Sequence, residues 1–287
     1  MSELSQFFLD KALKDFGEDE TKRKICLDRF REWIVQHPFL TFHDLDETCL
    51  LMFLRGRKYQ MDKVCQSIEQ MSIFLKNHPQ WNKITENEMP MFLNNCKSGM
   101  CLSKFRDSDG RRIITLRVKQ LEDLDLSQDE YLKTLQIFLN ASLYEQETQI
   151  AGIIFIFDLR GITFNLIKKY SIFSLLDFFS QLKYCPIRIK QINLIGMPTF
   201  AVFIFKFVKK LLSSKLQKRI NLIKDLSDLN EIMDTTELLK DDKSDFNEEN
   251  VMIIDDYIKK ASKMYDSFEV DFNKLKSCKS LKLENID

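Results

Sequence analysis

The order of apolar and polar positions changes character along the chain. Up to about residue 85 the apolar residues recur at helical spacing. Between Lys22 and Val35 they stand at 25, 27, 30, 33 and 34 among charges, and His37-Pro38 ends the run. Asp44 or Asp46 is placed to cap a second helix, Glu47 to Lys58. Asp62 opens a third, which carries Val64, Ile68, Met71, Ile73 and Leu75 and stops before Pro79. No strand pattern stands out in this part.

From about residue 98 the period shortens. Met100 to Phe105 and Arg112 to Val118 read as strands joined by Asp107-Ser108-Asp109-Gly110, a tight-turn sequence. Tyr131 to Tyr144 is a helix with an apolar face. Ile153 to Phe157 is an unbroken apolar run closed by Asp158 and Gly161, as in a strand buried on both faces. A helix from Tyr170 to Tyr184 follows, then a buried strand from Ile189 to Ile195, a helix from Thr199 to Leu212 and a short strand from Arg219 to Ile223. Strands alternating with helices predict parallel pairing through crossover helices, an α/β fold. Tyr257 to Phe268 is a further candidate helix in a polar C-terminal part, and the chain beyond Asn273 is expected to be mobile. The divisions are an N-terminal helical domain (residues 1–87), an α/β domain (88–245) and a C-terminal polar helix and tail (246–287).

Composition narrows the function. The chain has 287 residues, and its 24 Phe against 2 Trp and 7 Tyr favour a greasy wall without polar ring atoms. Lys+Arg and Asp+Glu balance at 43 each, which argues against nucleic acid as a partner. The first residues lack the basic and apolar regions of a signal peptide, and seven Cys are scattered without a CxxC pair. A cytoplasmic protein with reduced thiols is expected. The apolar run before Lys206 falls short of the ~20 residues that span a bilayer.

Catalytic constellations are missing. The three His, at 37, 43 and 78, lie outside the α/β part, so it can hold neither a His-based triad nor a His-based metal site. With 7 Gly in all there is no Gly-rich phosphate loop. Cys49 and Arg55 have the spacing of a phosphatase signature, but they lie on a helix, where no backbone cradle forms. Asp158 and Arg160 close a strand, where α/β sites often lie, but a local charge pair or cap is the better explanation of them. No catalytic residue, metal or cofactor is expected.

Two patterns remain. From Phe178 to Lys224 there is no Asp or Glu, while Lys183, Arg188, Lys190, Lys206, Lys209, Lys210, Lys215, Lys218, Arg219 and Lys224 all fall there. Such segregation makes one basic surface, for an anion or for the acidic C-terminal part. Arg188 and Lys190 point the same way on a strand; Lys215 and Arg219 share a face if their segment is helical; Arg57 sits on the apolar side of its helix. Several convergent Arg and Lys suit multiply charged phosphate groups. The second pattern is Thr199 to Val208, a helix apolar nearly all round. It is a core helix, or it faces a cavity on one side and a membrane on the other.

Three segments carry a resemblance. Leu50 to Tyr59 (LLMFLRGRKY), Gly152 to Gly161 (GIIFIFDLRG) and Tyr184 to Pro198 (YCPIRIKQINLIGMP), in this order, resemble motifs of the CRAL-TRIO lipid-binding family, within it the tocopherol-transfer and retinaldehyde-binding branch. The resemblance covers roughly residues 20–245. It implies a helical bundle ahead of a lipid-binding cage with a mixed, mainly parallel sheet. It also implies binding and transfer of a small hydrophobic lipid, with reversible docking on phosphoinositide-containing membranes and opening of a gate. The implied phosphoinositide site is Arg57, Arg188, Lys190, Lys215 and Arg219. The implied cavity wall is Leu135, Phe138, Leu139, Ile154, Ile156, Phe173, Leu176, Phe179, Ile192 and Leu194. The implied gate helix carries Phe200, Phe203, Ile204, Phe207 and Val208. Residues 232–240 depart from the family's Pro- and Gly-containing segment, and Leu135, Phe138 and Leu139 stand where relatives can show hydroxyls, which points to a more apolar ligand or to a different headgroup anchor. A non-catalytic scaffold using the same fold for protein contacts is the alternative, and a lipid-acting enzyme ranks below both.

Overall fold

The computed structural model describes residues 4–42, 45–81, 88, 99–123, 126–169, 184–236, 238–239, 258–259, 268–271 and 273–274. Four helices come first: α1 (Gln6–Phe16), α2 (Glu20–Val35), α3 (Glu47–Gly56) and α4 (Met61–Asn77). Asp19 caps α2 by accepting from the Lys22 N–H, and Asp46 caps α3 through the Cys49 N–H; Asp44 lies outside the described residues. α1 has no counterpart among the sequence-predicted elements. Its Ala12 and Phe16 are buried, and Gly17 closes it in the left-handed region at φ 64°. Phe30, Phe53, Leu54, Val64 and Ile68 are fully buried between the helices.

One residue of this bundle ties it to the rest. Arg55 is completely buried; it forms a 2.7 Å ion pair with Glu18 and donates to Gln149 at 2.9 Å and to Gln146 at 3.1 Å. Both glutamines belong to a helix of the α/β part, so a charge that could not be buried alone is shared across the boundary. The phosphatase-like spacing is thereby excluded as chemistry: Arg55 is fully engaged, and burial pushes the Cys49 thiol up, away from a thiolate.

Seven strands are described: β1 (Leu40–Phe42), β2 (Met100–Arg106), β3 (Arg112–Arg117), β4 (Ile153–Asp158), β5 (Ile189–Ile195), β6 (Ile220–Ile223) and β7 (Phe268–Val270). β2 to β6 form one sheet in chain order, with β2 antiparallel to β3 and every later pair parallel. The connections are α5 (Val118–Asp123), α6 (Gln128–Ser142), α7 (Gln146–Ala151), α8 (Phe164–Lys169), α9 (Thr199–Leu211) and α10 (Ser214–Gln217). A Ser127–Glu130 capping box starts α6.

β1 corrects the reading of the N-terminal part as strand-free: it pairs antiparallel with β7, Leu40 opposite Val270. The predicted helix Tyr257 to Phe268 is helical at 258–259, whereas Phe268 lies in β7, and residues 260–267 are outside the described residues. A three-residue strand has no period to read, and its partner lies far along the chain. The predicted helix Tyr170 to Tyr184 falls on residues outside those described, up to Tyr184 itself, which lies in a turn. Most of the tail beyond Asn273 is outside them as well.

Parallel neighbours taken in one direction, joined by right-handed crossovers, place their connecting helices on one face of the sheet. Leu135, Phe138 and Leu139 of α6 and Leu216 of α10 accordingly join one cluster with Ile114, Phe155 and Ile192. The opposite face is closed by the chain after β6: Leu226, Leu229, Leu238 and Leu239 pack on Ile113, Ile154, Ile156, Ile195 and Ile223.

Candidate functional site

Alternation along the strands sorts the implied wall residues. On the helix-covered face, the register aligns Leu116, Phe157, Leu194 and Leu222 in one row and Ile114, Phe155, Ile192 and Ile220 in the next. Ile154 and Ile156 are not brought together with Ile192 and Leu194. They point the other way, into the cluster behind the sheet, because odd and even residues of a strand part to opposite faces. Leu135, Phe138 and Leu139 lie on the helix-covered side. Phe173, Leu176 and Phe179 fall outside the described residues.

The two faces are finished differently. Behind the sheet, Ile154, Ile156 and Ile195 are at most 1 % exposed. On the helix-covered face the cover is less complete: Leu116 and Leu194 are buried, but Phe157, Ile192 and Ile220 are half-buried, and Leu222, on the edge strand β6, is 56 % exposed. An apolar sheet face that opens toward its own crossover helices has the chemistry to meet an apolar guest.

α9 completes this picture. None of residues 199–210 is fully buried, so it is no ordinary core helix. Phe200, Phe203 and Phe207, at spacings of three and four, are 39 %, 81 % and 62 % exposed, while Ile204 and Val208 are half-buried. Phe164 of α8 extends the exposed aromatic patch, meeting Phe200 edge-on at 5.9 Å, with the Lys168 ammonium 4.8 Å over its ring. Lys209 and Lys210 occupy the last turn of α9.

The five basic residues lie within electrostatic reach of one another. Lys215 feels the positive charges of Arg219, Lys58, Arg188 and Arg57, which lower its pKa together with the larger effect of burial. Lys190 is pushed down to about 8, by burial first and then by Arg188. Arg57 follows the last turn of α3 and donates to Ser67 Oγ at 2.9 Å and to the Cys185 carbonyl at 3.1 Å. Arg188 donates to the Ile150 carbonyl and, at 3.0 Å, to Asp15. Arg219 donates to the Ile189 carbonyl. α10 ends at Gln217, so Lys215 and Arg219 do not share one helix face; a turn brings them together instead.

Sequence reasoning missed Lys11, Lys58 and Asp15 at this cluster, and Phe155, Phe157, Ile220 and Leu222 on the sheet. The period of two marked the sheet residues as a set distinct from Ile154 and Ile156, without saying which set meets the helices. Asp158 and Arg160 form a local pair, with 2.8 Å between Arg160 Nη2 and Asp158 Oδ2. Among the described residues no helix is long and apolar enough to cross a membrane, and no group of His, Cys, Asp or Glu is placed to hold a metal.

Residues 97–241 match the CRAL/TRIO domain model. Over 220 residues the chain is 23 % identical to the mouse (Mus musculus) protein named alpha-tocopherol transfer protein-like, covering 75 % of this chain and 63 % of that one. It is 23 % identical over 235 residues to rat (Rattus norvegicus) clavesin-1, covering 76 % and 62 %. The match thus spans less than two thirds of these relatives. The crystal structure of Sfh5 superposes with a TM-score of 0.52 at 12 % identity, covering 85 % of this chain and 97 % of that one, which shows the shared fold.

Proposed function

We propose, since the chain belongs to the CRAL/TRIO domain family, that it binds a small hydrophobic lipid against the helix-covered face of its sheet and carries it between membranes without chemical change. The observation that carries this reading is the asymmetry of the sheet. One face is sealed by Leu226, Leu229, Leu238 and Leu239, while the other presents Phe157, Ile192, Ile220 and Leu222 incompletely covered beneath the crossovers. Withdrawing a lipid from a bilayer costs about 0.8 kcal/mol per CH2, on the order of 12 kcal/mol for ~15 carbons. Only an enclosing apolar wall offsets that. The relative's name, alpha-tocopherol transfer protein-like, fits a compact apolar guest of this kind.

Membrane docking has two supports. The exposed Phe164, Phe200, Phe203 and Phe207 suit insertion among acyl chains, with α9 as the gate. Basic residues near an anionic leaflet contribute about 1 kcal/mol each, enough for reversible attachment. Arg57, Arg188, Lys190, Lys215 and Arg219 are the proposed site for a phosphoinositide headgroup. Attachment there would favour the open gate only if the headgroup binds that state better.

Native mass spectrometry of freshly purified protein, with extraction into organic solvent, tests the carrier reading. A stoichiometric lipid is the expected result; protein that stays unliganded after incubation with a mixed lipid panel would count against it and in favour of a scaffold. Replacing Arg188 and Arg219 together with Ala is expected to weaken binding to phosphoinositide vesicles while lipid uptake persists. Unchanged vesicle binding would remove the cluster from the mechanism.

A further inference from the structure

The basic cluster is not left to solvent. α1 brings a carboxylate into it: Asp15 Oδ2 lies 3.0 Å from Arg188 Nη2 and 3.9 Å from Lys190 Nζ. The Arg188 side chain is only 9 % exposed, its guanidinium resting 4.3 Å from the centre of the Phe16 ring. No described acid forms an ion pair with Lys58, Lys215 or Arg219. Burial alone would raise the Asp15 carboxyl, but the Arg188 hydrogen bond and the charges of Arg188, Lys190 and Lys11 hold it below the usual carboxylate range, so it stays ionised.

Placement of this carboxylate does not depend on the ion pair. Ala12 and Phe16 are buried, the N–H groups at the Gly17 cap donate back to the helix, and Glu18 is locked to Arg55. Phe7 and Phe8, at the other end of α1, pack on the Gly110 turn, where an added Cβ would meet them at 2.8 and 2.9 Å. The oxygen of Asp15 therefore stands where a phosphate oxygen would contact Arg188 and Lys190. A tethered group of this kind acts at an effective concentration in the millimolar range.

We propose that Asp15 is a built-in competitor for the phosphate ligand of the basic cluster, so that binding a phosphorylated inositol headgroup at Arg188 and Lys190 requires Asp15 to give way. The proposal rests on the reading of the cluster as a headgroup site. Linkage makes the effect reciprocal: the factor by which docked α1 weakens the headgroup is the factor by which the headgroup weakens the docking of α1. α1 then reports the state of a site formed by other elements.

The experiment compares the full chain with Asp15→Asn, using soluble inositol trisphosphate by calorimetry and phosphatidylinositol bisphosphate vesicles by co-sedimentation. Asp15→Asn is expected to tighten both about tenfold. Asp10→Asn, the same charge change on exposed α1 surface, is expected to leave both unchanged. Hydrogen exchange of residues 6–16 in the wild type should speed up when inositol trisphosphate is added. Equal affinities for wild type and Asp15→Asn would overturn the proposal, as would tightening on vesicles alone, or an equal gain from Asp10→Asn, since either would be a general charge effect. Slower exchange of α1 on ligand binding would overturn it too. Lys215→Ala with Arg219→Ala separates the two ideas. If that pair leaves binding intact, the headgroup site itself fails; if it abolishes binding while Asp15→Asn changes nothing, only the competitor fails.

Discussion

Arg55→Ala should destabilise the protein more than any surface substitution, by about 3–5 kcal/mol, and lower its melting temperature by about 10 °C. The guanidinium is wholly buried and meets Glu18, Gln146 and Gln149. Truncation leaves the Glu18 carboxylate buried without its cation, and takes the donors from two glutamine oxygens. Three segments are held by this one side chain, so the helical bundle and the α/β part should loosen together. Replacing Arg55 with Met and Glu18 with Leu in one chain removes both charges, and should recover part of the loss. Thermal melting of the single and double variants decides the matter: a single variant melting within about a degree of the wild type would mean that the pair contributes little.

Gly152→Ala is the second large effect. Gly152 joins α7 to β4 at φ 90° and ψ −169°, a region almost closed to residues with a side chain. A Cβ there would also stand 2.5 Å from the Arg188 carbonyl oxygen and 2.9 Å from Lys190 Cγ. Backbone strain and overpacking together cost about 2–5 kcal/mol. The relief available is a shift of β5 at its start, which moves Arg188 and Lys190 out of the place they hold beside Arg57, Lys215 and Arg219. Stability and binding to phosphoinositide vesicles should therefore fall together, as read by chemical denaturation and co-sedimentation. Loss of stability with headgroup binding untouched would show that the start of β5 is not part of that site.

How far the site could be read beforehand depended on the range of the interactions involved. β5 and α9 follow from local patterns: a segment carrying Ile189, Ile192, Leu194 and Ile195 and stopped by Gly196 and Pro198, and an apolar helix begun after Pro198. Both were found within a residue of their bounds. The charge segregation between Phe178 and Lys224 pointed to a basic surface on the same terms. α1 carries the same local signal, with Phe8, Ala12 and Phe16 at spacings of four, although Leu9 and Leu13 beside them stay exposed. β1 and β7 are too short to show a period and too far apart to suggest each other.

The sequence by itself determined the alternation of strands and helices, the mainly parallel sheet, the family and the residue types able to meet a lipid and a phosphate. Each of these is written in neighbouring positions, through spacing, punctuation by Gly and Pro, and the sign of charge. Which face of the sheet meets the helices was decided by the tertiary structure alone. Alternation separates Ile154 from Phe155 but is symmetric between faces until the crossovers, and the chain after β6, choose their sides. The pairing of Asp15 with Arg188 was decided there too, because a carboxylate and a guanidinium some 170 positions apart meet only once both packed bodies exist.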